Sequence, residues 1–394
     1  MKICYLYLHR MAGRGSGRYM QSLLTYFKAK RHSICVVEGM RSQLKVLRGI
    51  AVKYVHFPFQ IPVYQGRADV KKNVKISGIP DSQLFSLIRR FAEWEVKMNE
   101  RTGIDITHAN HVSILPFSAS LAKKINHVPY VVTAHGTGML SSLESKRNFE
   151  IAKMGLEESE KVIANSKFTK SNLIKDFGIQ KNKIKVIYPG VDTDVFKPAS
   201  PRVKKAIKRK YRCTGKRVVF SSGFFTEEKG FQYLLKAASI YEKKDPNIVT
   251  LITGQGDYQH EMEKLIEKYD LKNTKILGWV TRKDLIKIYG AADLFVTPST
   301  WHEPFGLVSV EALASKTPVI ATKMGGIPEI VTRDVGETVE SKSGSAIANA
   351  VLDRINDDCW LRKKGKHGRE RVIEHFSVKA GGRETEKVYR KAIR

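Results

Sequence analysis

The chain has 394 residues, of which 42% are hydrophobic, so it is long enough for two globular domains. Its 69 Lys and Arg outnumber 39 Asp and Glu and give a net charge of +30, which predicts an anionic partner. The longest apolar run near the start, ICYLYL, is too short for a signal peptide or a membrane span, and no other segment reaches membrane length. We therefore expect a cytoplasmic protein.

Short apolar runs alternate with amphipathic stretches in the first half of the chain. The runs predict strands at KICYLYL, SICVVEG, KYVHFPF, DITHAN, PYVVTAHG, KVIANS and KIKVIYPG. The stretches between them predict helices, among them RYMQSLLTYFKAK, QLFSLIRRFAEWEVKMNE and KFTKSNLIKDF. Several strands are apolar throughout, which is typical of a parallel sheet covered on both faces.

The alternation restarts after a basic stretch, PRVKKAIKRKYRCTGK. Further strands are predicted at RVVFSSG, VTLITGQG, TKILGWV, DLFVTPS and PVIATKMGG, with helices between them. This pattern indicates two doubly wound α/β units joined near residues 190–200. Ligands of such sheets bind at the carboxyl ends of the strands, so the loops there should carry the functional residues.

The four cysteines predict neither a zinc site nor a disulfide framework, because they lie far apart without a Cys-x-x-Cys spacing. We expect small, buried, apolar side chains at Cys4, Cys35, Cys213 and Cys359.

Two glutamates, Glu303 and Glu311, flank a Pro-Phe-Gly step in STWHEPFGLVSVEALASKTPVIATKMGGIPEIV. Pro304 disfavours the helical conformation at Glu303, and Gly306 precedes an apolar run, so Glu303 should lie in a loop and Glu311 in the following helix. An elongated anionic ligand over the helix start could then contact both carboxylates and the exposed N–H groups between them. The alternative is a pair of solvated surface charges.

A glycine-rich segment, HRMAGRGSGRYM, follows the first strand and contains Gly13, Gly15 and Gly17. Arg18 occupies the position of the third glycine of a dinucleotide fingerprint, so that match fails. A glycine-rich loop before a helix still suits the approach of backbone N–H groups to a phosphate. In the second half, Lys229 and Gly230 lie at a strand-to-helix junction, where a lysine can neutralise a phosphate.

Three histidines, His108, His111 and His135, lie at predicted strand ends. Their spacing defines no zinc site, and His135 is better placed in a cleft, hydrogen-bonded to a sugar hydroxyl. Asp192 and Asp194 form an Asp-x-Asp pattern, but its place at the domain junction favours a turn over a metal site.

The positive charge is densest in residues 1–80, which hold 15 Lys and Arg but only the acids Glu38 and Asp69. Nucleic acid, an anionic membrane and a phosphorylated substrate are the possible partners. No nucleic-acid-binding motif is visible, so we expect no nucleic acid. A peripheral membrane face is indicated by basic residues near the apolar residues Phe57, Phe59, Ile61 and Val63. The alternative is a cytosolic protein from a cell whose proteins are generally basic.

Together these segments resemble family 4 of the retaining glycosyltransferases, which have the GT-B fold: two doubly wound, Rossmann-like α/β domains facing each other across a cleft. The resemblance covers nearly the whole chain, and its most specific motif is the Glu, seven residues, Glu pattern of HEPFGLVSVEALASKTPVIATKMGGIPEIV. It implies an acceptor-side domain of residues 1–193, joined by a C-terminal helix at 376–394, and a nucleotide-sugar donor domain of residues 194–375.

The resemblance also implies roles for individual residues. In the family, the residue matching Glu303 contacts the donor sugar near the reacting carbon, and that matching Glu311 holds the ribose hydroxyls. Lys229 would bind the donor phosphates, and His135 would face the transferred sugar. The glycine loop, Gly15, Ser16 and Gly17, would lie against the diphosphate from the other domain. Other donor contacts are implied for Gly254, Gly278, Val280, Pro304, Phe305, Gly306, Leu307 and Val308.

The implied activity is transfer of a sugar from a nucleotide diphosphate-sugar to an acceptor with retention of anomeric configuration. The family's reaction needs neither a metal ion nor a cofactor, and it would serve glycolipid, polysaccharide or glycoprotein glycan synthesis. The basic first domain adds the expectation of a lipid-linked acceptor, with the protein peripheral at the inner face of the cell membrane.

The chain departs from the family at Phe224, which follows Gly223 where an arginine is usual. The GLLV segment common after PEIV is also replaced, so the wall near the donor differs. Two alternatives stay open: a catalytically weakened nucleotide-sugar-binding protein, which Phe224 favours, and a nucleotide-sugar epimerase or phosphorylase of similar fold. We identify neither a phosphorylase cofactor lysine nor an epimerase acid set.

Overall fold

A computed structural model of the protein describes residues 1–11, 15–42, 44–61 and 74–394. These residues form two compact units, Met1–Gly190 with Val378–Arg394, and Val191–Ser377. Gly13 of the glycine-rich segment, Val63 of the predicted membrane face and the acid Asp69 lie outside the described residues.

The described residues of the first unit form a seven-stranded parallel sheet in the order β3-β2-β1-β4-β5-β6-β7. The strands are β1 (Lys2–Tyr7), β2 (Ser33–Glu38), β3 (Ala51–Tyr54), β4 (Ile106–Asn110), β5 (Tyr130–Ala134), β6 (Lys161–Ala164) and β7 (Ile184–Val186). The helices between them are α1 (Gly15–Ala29), α2 (Asp81–Thr102), α3 (Ile114–Asn126), α4 (Thr137–Leu143), α5 (Lys146–Glu157) and α6 (Lys167–Phe177). Short 3-10 turns lie at Lys45–Leu47, Ile76–Gly78 and Lys181–Lys183.

The second unit, all of whose residues are described, has a six-stranded parallel sheet in the order β10-β9-β8-β11-β12-β13. Its strands are β8 (Arg217–Phe224), β9 (Ile248–Gln255), β10 (Thr274–Gly278), β11 (Leu294–Thr297), β12 (Val319–Thr322) and β13 (Gly336–Val339). Its helices are α7 (Pro201–Lys210), α8 (Phe231–Lys244), α9 (Gln259–Lys268), α10 (Arg282–Ala291), α11 (Leu307–Ala314), α12 (Ile327–Ile330), α13 (Gly344–Ile355) and α14 (Asp358–His375).

The C-terminal helix α15 (Val378–Ala392) packs in the first unit, where the Tyr389 ring stacks on Phe27 of α1 at 5.2 Å between ring centroids. Side chains of β1 alternate between the two faces of the sheet, as the period of two requires. Tyr5 packs in the core beneath α1 and α15, and Leu6 packs in the core beneath α2 and α3. Both faces are therefore covered, and the predicted parallel α/β class is confirmed.

Three expectations need correction. Cys359 is exposed in the first turn of α14, whereas the other three cysteines are buried. The strand predicted at KYVHFPF is shorter and lies earlier, at Ala51–Tyr54. Phe57 is buried, so it is not an apolar contact of the predicted membrane face, whereas Phe59 and Ile61 are half-buried at the edge of the core.

Within the described part of the chain, no helix has both the length and the apolar character that a bilayer span requires.

Candidate active site

The strand order of the second unit places two functional loops side by side. β8 and β11 are neighbours in its sheet, and the chain moves outward from them in opposite directions, through β9 to β10 and through β12 to β13. This is a topological switch point, where the loops at the carboxyl ends of adjacent strands leave a crevice. Lys229 follows β8 and Glu303 follows β11, so the two residues flank this point.

Lys229 and Glu303 form an ion pair, with 2.5 Å between Lys229 Nζ and Glu303 Oε1. Their side chains are 25% and 14% exposed, so the pair is partly shielded from water and open to a ligand. Ser299 Oγ donates a second hydrogen bond to the same carboxylate oxygen, at 3.2 Å. Lys229 Nζ also lies 5.2 Å from the centre of the Trp301 ring, within the range of a cation–π contact.

Close backbone approaches hold these two loops together. A Cβ at Gly230 would lie 2.0 Å from the carbonyl oxygen of Pro298, so only glycine permits this approach. Thr300 N donates to the Glu228 carbonyl at 2.9 Å and links the same two loops. The carbonyl of Glu303 accepts a 2.7 Å hydrogen bond from Gly326 N, which ties it to the loop after β12.

Helix α11 begins directly after the Glu303 loop. Gly306, at its N-cap, has φ +113°, and half-buried Leu307 and Val308 form the start of the helix, where the first backbone N–H groups lack an acceptor within the helix. Pro304 and Phe305 are buried and anchor the loop. Glu311 lies in the body of α11 and is buried, so the predicted arrangement of one glutamate in the loop and one in the helix is confirmed.

The remaining sequence-predicted donor residues of this unit lie at the same edge of the sheet. Gly254 is near the end of β9 and pairs in register with Gly223 of β8. Gly278 ends β10, and half-buried Val280 follows it. Phe224 is the last residue of β8. The parallel arrangement brings all of these strand ends together with Lys229 and Glu303.

In the first unit, His135 directly follows β5 and contacts Asn110, the last residue of β4. Asn110 Nδ2 lies 3.4 Å from the carbonyl oxygens of both Leu6 and His108, so its Oδ1 faces His135 Nε2, at 3.3 Å. His135 must then carry its proton on Nε2, which leaves Nδ1 as an acceptor. Burial lowers the pKa of His135 to about 3, so the ring is neutral near pH 7.

The other two histidines have different surroundings. His108 is fully buried, and its ring nitrogens contact Tyr389 Oη at 2.5 Å and Thr133 Oγ1 at 2.6 Å, which makes it a core residue that links β4 to α15. The His111 ring lies 4.6 Å from that of His135. Burial lowers the pKa of His111 well below its ordinary value, and the nearby His135 lowers it further.

The glycine-rich loop leads into α1, which begins at Gly15. Ser16 Oγ lies 2.9 Å from Tyr7 Oη, and a Cβ at Gly17 would lie 2.5 Å from the Met11 carbonyl oxygen, so the helix start packs closely against the end of β1. Residues 12–14 of this loop lie outside the described residues.

Asp192 accepts hydrogen bonds from the backbone N–H groups of Asp194, at 2.9 Å, and Val195, at 3.2 Å. The Asp-x-Asp pattern is therefore a turn, as predicted. Sequence reasoning missed three residues around the glutamate and the histidine: Ser299, Trp301 and Asn110. Ser299 and Trp301 lie in the same sequence motif as Glu303, and this proximity in sequence could have indicated that they lie around this glutamate.

Two family models match the chain almost end to end. The model described as Glycosyltransferase Family 4 matches residues 13–195, and the model described as Glycosyl transferases group 1 matches residues 203–371. The chain belongs to the group 1 glycosyltransferases of the family 4 type. It is therefore a transferase, and the predicted enzyme class is confirmed.

Curated relatives are similar over most of this glycosyltransferase. An uncharacterized glycosyltransferase of Methanocaldococcus jannaschii is 29% identical over 88% of this chain and 93% of its own length. The D-inositol 3-phosphate glycosyltransferase of Corynebacterium glutamicum is 28% identical over 75% of this chain and 74% of its own length. The structure of Anabaena HepE in complex with UDP covers 99% of this chain and 100% of its own, with a TM-score of 0.79 and 22% identity. The predicted GT-B fold is thereby confirmed.

Proposed function

We propose that this glycosyltransferase moves a sugar from a nucleotide diphosphate-sugar to an acceptor with retention of anomeric configuration and without a metal ion. The reaction serves glycolipid, polysaccharide or glycoprotein glycan synthesis. The Val191–Ser377 unit binds the donor, and the Met1–Gly190 unit with α15 serves the acceptor. The fold shared with the Anabaena protein that was solved with UDP supports a nucleotide donor.

The observation that carries the proposal is the Lys229–Glu303 pair beside the start of α11. Transfer develops positive charge at the anomeric carbon and negative charge on the leaving diphosphate. Lys229 and the N–H groups at the start of α11 supply positive potential for the phosphates. Glu303, which touches Lys229 at 2.5 Å, supplies a carboxylate for the sugar hydroxyls near the reacting carbon. Glu311, eight residues farther along, holds the ribose hydroxyls.

The reaction balances without a cofactor. The bond between the anomeric carbon and the diphosphate oxygen breaks, and the acceptor oxygen bonds to the anomeric carbon on the same face. The acceptor proton passes to an oxygen of the leaving diphosphate. In the first unit, His135 contributes a neutral ring whose Nδ1 accepts a hydrogen bond from a sugar hydroxyl.

The test is incubation with a panel of labelled UDP-, GDP- and ADP-sugars, scored for binding and for donor hydrolysis. One donor should bind and turn over, and the released sugar should keep the anomeric configuration of the donor when it is read by NMR at early times. Activity should survive EDTA. A loss of turnover in EDTA that Mg²⁺ or Mn²⁺ restores would overturn the metal-independent mechanism, and an inverted product would overturn retention.

A second candidate is a glycosyltransferase-fold protein that binds a nucleotide-sugar but has weakened catalysis. Phe224 favours it, because the phenyl ring at the end of β8 cannot donate hydrogen bonds to a phosphate as the usual arginine does. The same donor panel distinguishes the two candidates, since the weakened protein would bind a donor without turning it over.

The acceptor is proposed to be lipid-linked and presented at an anionic membrane surface. The basic charge of the first unit supports this proposal. An acceptor screen with lipid-linked and soluble saccharides separates the two acceptor classes, and transfer to soluble acceptors alone would contradict it.

A further inference from the structure

The positive charge of the first unit is concentrated on the surface formed by α1, the turn at Lys45–Leu47 and α15. The three segments 15–32, 44–50 and 378–394 contain 12 Lys and Arg but only two acids, Glu384 and Glu386. We call the exposed cations of this surface the basic face; they are Lys28, Lys30, Arg31, Lys45, Arg48, Lys379, Arg383, Lys387, Arg390, Lys391 and Arg394.

The basic face is one continuous surface, because α1 contacts both of the other two elements. Lys28 Nζ at the end of α1 donates to the carbonyls of Val46 and Arg48. Tyr26 Oη, also on α1, donates to Glu386 of α15 at 3.2 Å. α1 therefore lies between the other two elements, and the apolar side chains beneath all three share one core.

The two acids of these segments do not neutralise the surface. Glu384 pairs with Lys387 at 2.6 Å, and Glu386 pairs with Arg390 at 2.7 Å. Each acid is thus balanced by one cation of its own helix, and the net charge of the segments remains strongly positive.

The opposite face of the same sheet has a smaller excess among the described residues. Its helices α2, α3, α5 and α6 together contain 12 Lys and Arg and seven Asp and Glu. Helix α2 also carries an exposed phenylalanine, Phe85, which is 51% exposed. The positive charge of the described residues is therefore denser on the basic face than on the opposite face.

The uncharged residues of the basic face suit a lipid headgroup layer better than a nucleic acid. Its aromatic side chains, Tyr26, Phe27 and Tyr389, are buried and cannot stack on bases. Aliphatic Leu44, Val46 and Ile50 lie half-buried among the cations. Lysine and arginine interspersed with partly exposed aliphatic residues are typical of surfaces that rest on anionic bilayers.

We infer that the basic face is the surface by which this glycosyltransferase docks on a bilayer of anionic phospholipids. The inference rests on the proposed function for its purpose, since docking there brings the enzyme to a lipid-linked acceptor. It differs from the sequence-based expectation in its residues, because that expectation placed the membrane face near Phe57, which is buried, and near Phe59 and Ile61, which lie outside the three segments of the basic face.

The experiment is co-sedimentation of the full chain with vesicles of phosphatidylcholine alone and of phosphatidylcholine with one third phosphatidylglycerol. The triple variant Lys30→Gln, Lys45→Gln, Arg48→Gln removes three charges from the basic face. The matched control, Arg202→Gln, Lys204→Gln, Lys205→Gln, removes three exposed charges from α7 in the second unit. Each charge near an anionic surface is worth about 1 kcal/mol, so the first variant should bind about 100-fold more weakly and the control should change little.

Binding of the parent chain should require phosphatidylglycerol and fall steeply as salt is raised. Equal losses in the two triple variants would mean that only net charge matters and would overturn the inference. Binding to the neutral vesicles, or binding to neither kind of vesicle, would also overturn the inference. Loss of binding in Phe85→Ser, which leaves the basic face intact, would overturn it as well. Tighter binding to a single-stranded oligonucleotide than to the vesicles, lost in the basic-face variant, would assign the surface to nucleic acid instead.

These outcomes are separate from the proposed function, because sedimentation needs neither donor nor acceptor. A chain that binds anionic vesicles but turns over no nucleotide-sugar keeps the docking surface and loses the proposed reaction. A chain that turns over the donor fully but binds no vesicles keeps the proposed reaction and loses the docking surface. Circular dichroism of the two triple variants shows whether each is folded, and the exposed positions of all six side chains predict that both are.

Discussion

The position of Glu303 depends on a glycine that is not part of its motif. Gly325, in the loop after β12, has φ +57°, and a Cβ there would lie 2.2 Å from the Glu303 carbonyl oxygen and 2.8 Å from its nitrogen. The first distance is about 1 Å short of van der Waals contact. Gly325→Ala must therefore displace the backbone of Glu303 or of its own loop, and the neighbouring bond from Gly326 N to the Glu303 carbonyl would be distorted.

The expected effect has two parts. A left-handed backbone costs an alanine about 1 kcal/mol relative to glycine, and the distorted hydrogen bond adds about 1 kcal/mol, so the free energy of unfolding should fall by about 2 kcal/mol. A displacement of Glu303 by about 1 Å should lower turnover of the donor about 100-fold, because catalysis depends on near-contact positioning of the reacting groups.

Gly215→Ala is the matched control. Gly215 has φ +76° in the loop before β8, and nothing lies within 4 Å of a Cβ placed there. It shares the backbone strain without the overlap, so it should lose about 1 kcal/mol of stability and keep normal turnover. The assays are thermal denaturation and steady-state kinetics with the donor found in the panel. If Gly325→Ala turned over donor as fast as Gly215→Ala, the proposed role of Glu303 at the reacting carbon would be refuted.

Four further outcomes are expected. Lys229→Ala should abolish donor turnover and change the free energy of unfolding by less than about 1 kcal/mol, because a partly exposed ion pair contributes little to stability. Unchanged turnover in this variant would mean that the phosphate site is elsewhere. Phe224→Arg should tighten nucleoside diphosphate binding about tenfold in an isothermal titration, with a melting curve to detect lost packing. Glu303→Gln should also bind the free nucleoside diphosphate more tightly, because Lys229 is released from its ion pair, while turnover of the donor falls. Weaker diphosphate binding in this variant would contradict the idea that the Glu303 carboxylate and the phosphate compete for Lys229. Burial raises the pKa of Glu38 from its ordinary value of 4.5 to about 7. The protonated carboxyl therefore stabilises the fold in full below pH 4.5, and about 3 kcal/mol of the free energy of unfolding is lost as pH rises from 4.5 through 7. Glu38→Gln should remove this loss of stability in urea titrations between pH 4.5 and 7.

The strands were predictable because most of them are continuous apolar runs between polar stretches. The helix predicted at KFTKSNLIKDF has the same bounds in the structure, Lys167–Phe177, and its Ser166 cap was visible in the sequence. The strand Gly336–Val339 was missed, because it is short and three of its four residues are half-buried. Helix α7 was read only as a basic stretch, since Ile207 is its one buried residue; the signal was Ser200 before Pro201, a capping serine before a first-turn proline.

The candidate site was predictable in its parts but not in its assembly. Lys229 and Glu303 could each be placed after a strand, yet they are 74 residues apart, and their contact depends on β8 and β11 being neighbours. Periodicity and propensity say nothing about which strands are adjacent. Asn110 was missed for the same reason, because the partner that it orients, His135, lies 25 residues away, directly after the neighbouring strand.

The structure also changes how the missing arginine at Phe224 should be understood. In this chain the side-chain cation proposed for the donor phosphates, Lys229, already contacts Glu303 at 2.5 Å. A phosphate that binds Lys229 must therefore compete with that carboxylate, whereas an arginine at the end of β8 would add a second cation. In the proposed mechanism, binding of the diphosphate then depends more on the N–H groups at the start of α11, a helix start that is fixed by Gly306 and by buried Phe305. In the proposed mechanism, release of Lys229 frees Glu303 for the sugar hydroxyls, so the competition that weakens diphosphate binding also couples the arrival of the phosphates to the availability of the Glu303 carboxylate.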